Sequence, residues 1–414
     1  LMTSTAMSNQ HPSTFVQADP VDVYKFIEDD LLYACDILPY ATDDHYRSSN
    51  DYRFSKGATL GLLAKVYATW AGYPLRDESK WEAAAKTARI LVESGKHDLL
   101  NDYEQLWKNT CNGIWDPTES LIEISFYSPT YSGNSDPVGR IGKWNGVKTT
   151  VDAGRSGSTA ANVQVVHSFV LDWREEAKPD ETTGISPDRR QNLSIANYKH
   201  GHNDSKTGAV YLDDYYLAAS IPNDNAATAL SKDLDPEKSQ KAKQTYTPAK
   251  WDIDKYMESI PFINNDKSTV NWYVLRYADV LLLYAEALNE WKGGPTTEAY
   301  AAINKVRKRG YTKADGTINK DYSLKEGLDQ TAFREAVHKE RAYELAFEGH
   351  RRLDLVRWGV YYETVQNTYN ALKNWWSSAN YVVYDYTEKG KHELMPIPQR
   401  EMDLCTQFEQ NPGW

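Results

Sequence analysis

TAFREAVHKERAYELAFEGHRRLDLVRWG, residues 331–359, carries two overlaid patterns. The first is apolar. Phe333, Ala336 and Val337, then Tyr343, Ala346 and Phe347, recur at three- and four-residue spacing, which predicts an amphipathic helix. Thr331 is the expected N-cap, and Glu335 in the first turn suits the positive end of the helix dipole. Gly349 is the expected stop, with Leu353, Leu355, Val356 and Trp358 resuming an apolar run behind it. The second pattern is charge. Glu340, Glu344 and Glu348 stand at i, i+4 and i+8, share one face and repel each other. Arg341, Arg351, Arg352, Arg357 and Asp354 accompany them. Three readings fit: a solvated face, a catalytic carboxylate pair, or carboxylates paired with the planar guanidinium fork. Beside Arg276, Asp279 and Glu286 on the preceding helix pair, the third is preferred. It predicts that Arg276 or Arg352 pairs with one of the three glutamates.

The chain has 414 residues, enough for a substantial core. It is 41% hydrophobic with a mean hydropathy of −0.67, and no window approaches a membrane helix. The formal charge is −11 and no basic patch dominates, which argues against nucleic acid as a partner. Three scattered cysteines (Cys35, Cys111, Cys405) fit neither a metal site nor a disulfide framework, and Cys35 is expected in helix packing. Aromatic usage is the anomaly: 13 Trp and 29 Tyr against 9 Phe. Amphipathic rings in such excess suit surfaces that stack on a ligand while keeping a polar edge wet. The chain opens on Leu1 with no basic-then-apolar leader, which reads as a truncated or processed form.

Helical periodicity is predicted over Val21–Leu38, Lys56–Ala71 and the Trp81–Val92 region, with Gly72, Pro74 and Gly95 as breaks. Leu60, Leu63, Ala64, Tyr67 and Ala68 form one face of the second helix, and small residues such as Ala64 and Ala88 let paired helices approach closely. The hairpin resembles a tetratricopeptide (TPR) unit and recurs over Leu275–Trp291 and Thr297–Arg309, so the stretch quoted above is the next helix of an array. Residues 96–270 differ in kind, being rich in Gly, Ser, Asn, Asp and Pro with short strand-like runs such as Leu121–Phe126. Irregular segments of that length usually carry function. The expected fold is mainly α: TPR-like helical hairpins forming a curved scaffold with a large loop-rich insertion. It is expected as one domain over 1–414, divided into helices at 21–95, a ligand-binding insertion at 96–270, helices at 271–359 and an irregular segment at 360–414.

The order Glu340-Arg341, Glu344-Leu345, Glu348-Gly349, Arg352, Asp354-Leu355, Arg357-Trp358-Gly359 closely resembles the carboxyl-terminal region of the SusD/RagB family. Further motifs follow the family's order: IEDDLLYACDILP (27–39), RFSKGATLGLLAKVYATWAGYP (53–74), LRYADVLLLYAEALNE (275–290) and MPIPQREMDLCTQFEQNPGW (395–414). The resemblance implies a cell-surface, lipid-anchored protein of the outer membrane. It would capture a glycan and cap a SusC-like TonB-dependent transporter. It also implies a lipid anchor and further amino-terminal residues that this chain does not carry, so membrane attachment is expected only through that anchor. RagB-like members imply an alternative peptide ligand, and a plain TPR scaffold for protein partners is the rival from another class.

Chemistry points the same way. Glycan hydrolysis needs two carboxylates across a cleft, and none of the 58 acids sits in a recognisable setting. No nucleophile elbow, phosphate loop or dinucleotide motif is present, and His200-Gly-His202 lacks a third metal ligand. The expectation is therefore no catalytic residue, no cofactor and no metal. Sugar rings present C–H faces that stack on aromatic planes, and their hydroxyls demand hydrogen bonds. Aromatics without helical periodicity in the insertion are the candidates: Trp144, Tyr131, Trp173, Tyr211, Tyr215 and Tyr216. Trp144, in Gly142-Lys143-Trp144-Asn145-Gly146, is preferred. Trp375, Trp376, Tyr381, Tyr384 and Tyr386 form a second, lower-ranked cluster.

Overall fold

A computed structural model describes residues 11–43, 51–126, 139–149, 157–180, 185–203, 206–211, 243–258, 266–319 and 321–414. The described chain is mainly helical. Helices α1 (Pro20–Ile37), α2 (Lys56–Trp70) and α3 (Lys80–Glu93) follow one another, and α2 packs against both neighbours. Ser55 caps α2 by accepting the Ala58 N–H at 3.3 Å. The insertion supplies α4 (Tyr103–Cys111), α5 (His167–Glu176), α6 (Arg189–Ser194) and the short α7 (Ile253–Tyr256). The second helical block holds α8 (Tyr277–Lys292), α9 (Thr297–Gly310), α10 (Gln330–Glu344), α11 (Arg351–Arg357) and α12 (Tyr361–Trp375).

Strands are short and local. β1 (Ser120–Ile124) pairs antiparallel with β6 (Trp272–Arg276), β2 (Ile195–Ala196) with β5 (Thr247–Pro248), and β3 (Tyr198–Asn203) with β4 (Lys206–Tyr211). No described helix is long and apolar enough to cross a membrane.

The main core lies where the two helical blocks meet. α8 is buried on every side from Tyr277 to Asn289, packed against α3, α9, α10 and α2. A helix surrounded this way reads as apolar all round, which is why YADVLLLYAEAL shows so little polar face. Gly293 ends it at φ 71°, a left-handed conformation suited to glycine. A second core centres on Trp107, Trp251 and Tyr273, and a third on Trp173, Tyr246, Tyr311 and Tyr343. Cys35 is half-buried and packs against the main core.

α10 differs from expectation at both ends. Asp329, not Thr331, caps it, accepting the Ala332 N–H at 2.8 Å. The helix stops at Glu344, and Phe347 (φ 69°) and Gly349 (φ 85°) turn the chain away. The helical run predicted to begin at Leu275 begins at Tyr277, because Leu275 and Arg276 complete β6.

The glutamate row is buried, at 0% exposure for Glu340 and Glu344 and 3% for Glu348. Arg276 donates to Glu344 at 2.5 Å, to Glu348 at 2.7 Å and to Glu119 at 3.0 Å. Arg190 reaches Glu340 (2.5 Å), Glu344 (3.0 Å) and Asp188 (2.8 Å). Arg309 joins Glu344 to Glu119, Arg307 meets Glu340, and Lys250 closes on Glu348 at 2.6 Å. Five cations (Arg190, Lys250, Arg276, Arg307, Arg309) thus face five carboxylates (Glu119, Asp188, Glu340, Glu344, Glu348). Beside α8, Lys65, Arg341 and Arg357 balance Asp279, Asp354 and Glu286 in the same way. The expected pairing therefore falls to Arg276. Arg352 instead donates to the His392 carbonyl at 2.6 Å.

Candidate ligand-binding site

The loop 139–149 is clamped before it presents anything. Gly139 bridges Ser268, and Gly142 (φ 79°) and Gly146 lie against the Trp251 carbonyl, where an added Cβ would come within 3.0 and 2.7 Å of the oxygen. Only glycine permits that approach. Lys143 points inward, 1% exposed, with its ammonium near the Gly157 and Ser158 carbonyls, and burial pulls its pKa down to about 8. With its neighbours fixed, Trp144 faces out and is 42% exposed.

Two groups orient the ring. Its Nε1–H donates to Asp266 at 2.8 Å, and the Arg140 guanidinium lies 4.7 Å from the ring centroid. Arg140 and Asp266 are themselves paired at 3.1 Å. The indole's polar edge is therefore satisfied, and what remains exposed is apolar ring beside a charged pair that can donate to and accept from hydroxyls. Arg140 and Asp266 escaped the sequence reading. Arg140 lies four residues before Trp144, a spacing without meaning outside a helix, and Asp266 is brought from 122 positions away by tertiary structure.

The other candidates separate. Trp173 is a core residue, 0% exposed, stacked on Tyr343 at 4.8 Å with its Nε1–H donating to Asp188 at 3.1 Å. It has no face left for a ligand. Its periodicity was legible after all: His167, Val170, Trp173 and Arg174 are the buried face of α5. Tyr211 ends β4. Its side chain, and all of Tyr131, Tyr215 and Tyr216, lie outside the described residues. The His200 Nε2–H donates to buried Asp252 at 2.8 Å, pinning β3 to the segment before α7. In the second cluster, Trp375 stacks on His167 at 4.0 Å and Tyr384 on Tyr369 at 3.7 Å, while Tyr381 lines a cavity against α5 and α10. A cavity of about 600 Å³ lies between residues 98–102, the end of α9 and residues 312–318. No aromatic lines it, so it offers no stacking plane.

Residues 118–414 match the family model described as the SusD family. A SusD homolog from Bacteroides thetaiotaomicron is 68% identical to this chain, with a TM-score of 0.86 over 100% of this chain and 74% of its own. A laminarin-binding SusD-like protein shares the fold at 24% identity, with a TM-score of 0.59 over 96% of this chain and 70% of its own. A SusD-like protein of Formosa agariphila is 26% identical over 87% of this chain and 58% of its length. The chain spans little more than half of the curated relatives it matches over most of its length. By the family model, the close structural likeness and the shared helical architecture, this chain belongs to the SusD family.

Proposed function

We propose that the protein is a non-catalytic, cell-surface receptor that binds an oligo- or polysaccharide and delivers it to a SusC-like TonB-dependent transporter of the outer membrane. Attachment to the membrane would be through a lipid anchor outside this chain. The observation that carries the reading is Trp144, a tryptophan held rigid by Asp266 and Arg140 with its apolar ring open to solvent. A ring ordered in advance costs little entropy when a sugar stacks on it. Laminarin binding in one SusD-like protein, and the name of a surface glycan-binding protein from Bacteroides fluxus of the same fold, agree with it. Tyr131, Tyr211, Tyr215 and Tyr216 stay proposed as further stacking partners; Trp173 does not.

The Glu344 and Glu348 carboxylates favour a structural role over turnover. Glycoside hydrolysis uses a carboxyl group kept protonated opposite a second carboxylate. Arg309, Arg276 and Arg190 hold Glu344 far below the ordinary carboxylate range against the cost of its burial, and Glu348 is lowered by Arg276 and Lys250. Calorimetry against a glycan panel tests the reading. Trp144→Ala is expected to weaken the best ligand at least about tenfold, or roughly 1.4 kcal/mol. Unchanged affinity removes Trp144 from the site. Saturable peptide binding with no glycan binding overturns the receptor reading in favour of a peptide ligand.

A further inference from the structure

Three cavities of about 350, 330 and 220 Å³ adjoin one another: Asp172 lines the first and second, and Glu176 and Lys339 line the second and third. Together they follow one face of α10, where Ala332, Ala336, Lys339 and Ala342 recur at helical spacing, and reach Ala346 in the turn behind it. The opposite wall is one face of α5, with Ser168, Phe169, Asp172, Glu175 and Glu176. Ala332 to Ala342 alone covers about 15 Å of helix, so the feature is a groove rather than a pit.

We propose that this groove binds an uncharged oligosaccharide chain lying along α10. The inference rests on the glycan-receptor reading but not on Trp144. Alanine side chains leave room for a chain of rings and give their C–H faces an apolar strip. Phe169 and Phe347 add aromatic surface at one end, beside Tyr381, Thr364 and Thr368. Asp172 and Glu175, with no ion pair among the described residues, supply acceptors for vicinal hydroxyls midway, and Lys339 supplies a donor. Asp172, Glu175 and Glu335 share the lining with Arg307, Lys339 and Arg351, so no field of one sign selects a uronate or a sulfate ester, and the ligand class follows as neutral. A peptide fits less well. The long walls are the helices α5 and α10, whose interior main-chain groups are paired within the helix, and no named strand among the described residues lines the groove.

Binding by calorimetry tests the groove, using neutral hexasaccharides of glucose, mannose, galactose and xylose, an oligogalacturonate, and a lysine-rich hexapeptide. Wild type is expected to bind at least one neutral hexasaccharide, Ala342→Trp to weaken it at least tenfold, and Asp172→Asn to weaken it severalfold with an unchanged unfolding transition. If Ala342→Trp does not fold, Asp172→Asn with Ala336→Phe decides. Unaltered affinity in the groove variants, with loss in Trp144→Ala, overturns the groove and leaves the platform standing. Preference for the oligogalacturonate or the peptide overturns the ligand class. Binding of no saccharide overturns both readings.

Discussion

Three carboxylates converge on Arg276: Glu348 accepts from Nε and Nη2 together, while Nη1 donates to both Glu119 and Glu344. Glu344 comes from the last residue of α10, Glu348 from the turn behind it and Glu119 from the residue before β1, so one side chain ties both helical and insertion parts together. Arg276→Met would leave buried carboxylates short of a cation, and the expected loss is about 3–5 kcal/mol, read from the urea midpoint. Arg276→Lys should recover little of it, because an ammonium cannot replace the bidentate fork. Glu123 behaves oppositely. It is buried, accepts from Ser120 Oγ at 2.7 Å and Asn271 Nδ2 at 2.8 Å, and burial pushes its pKa up to about 7. Its folded pKa exceeds the ordinary 4.5, so its stabilising contribution is complete below 4.5 and is lost as pH rises through 7. Glu123→Gln should therefore gain about 1–3 kcal/mol relative to wild type at pH 8 but not at pH 4, measured by denaturant titration at both values. The periodic glutamates were legible in sequence and Arg276 was nameable beside them. Arg190, Arg309 and Lys250 were not, since nothing local distinguishes an arginine bound for a buried cluster from a solvated one.

Among the elements, α10 shows how far periodicity reaches. Apolar spacing continues through Ala346 and Phe347, yet the helix ends at Glu344. The turn brings Glu348 onto both Arg276 and Lys250, and those contacts outweigh continuation of the helix. Periodicity reports which residues are inside and is silent on where a backbone breaks to serve a buried charge. α2 carries a sharper constraint. A Cβ at Gly61 would stand 2.9 Å from Leu275 Cδ2, 3.0 Å from Val280 Cγ2 and 3.1 Å from Leu121 Cδ1. Alanine gains up to about 1 kcal/mol of helix propensity over glycine, but overpacking costs about 1–3 kcal/mol. Gly61→Ala is therefore expected to lower the thermal midpoint, and a rise in calorimetry would show that the β1–β6 contact yields.

At the scale of the molecule, the buried networks predict an acid response. Glu344, Glu348, Glu286, Asp279 and Asp354 all have pKa values lowered by neighbouring cations, prevailing over a burial cost that acts the other way. Their stabilisation is present above the ordinary values of 4.5 for Glu and 3.8 for Asp, and is lost as pH falls through the lower folded values. In a Glu123→Gln background, free of that carboxyl's own titration, the guanidinium midpoint should hold between pH 7 and 5 and fall steadily below 4.5; a plateau down to pH 2 would show that the networks contribute no stability. Sequence by itself determined the helical class, the family and the buried role of the Glu340–Glu344–Glu348 face, because periodicity, caps and a long motif are local properties of the chain. It also singled out Trp144, whose glycine-flanked setting could not be a helix face. Tertiary structure alone decided that Trp173 stacks on Tyr343, that Asp266 and Arg140 hold the Trp144 ring, and that α5 and α10 leave a groove between them. Each of those depends on residues far apart in the chain meeting in space, and the spacing of side chains along one segment holds no record of what packs against it.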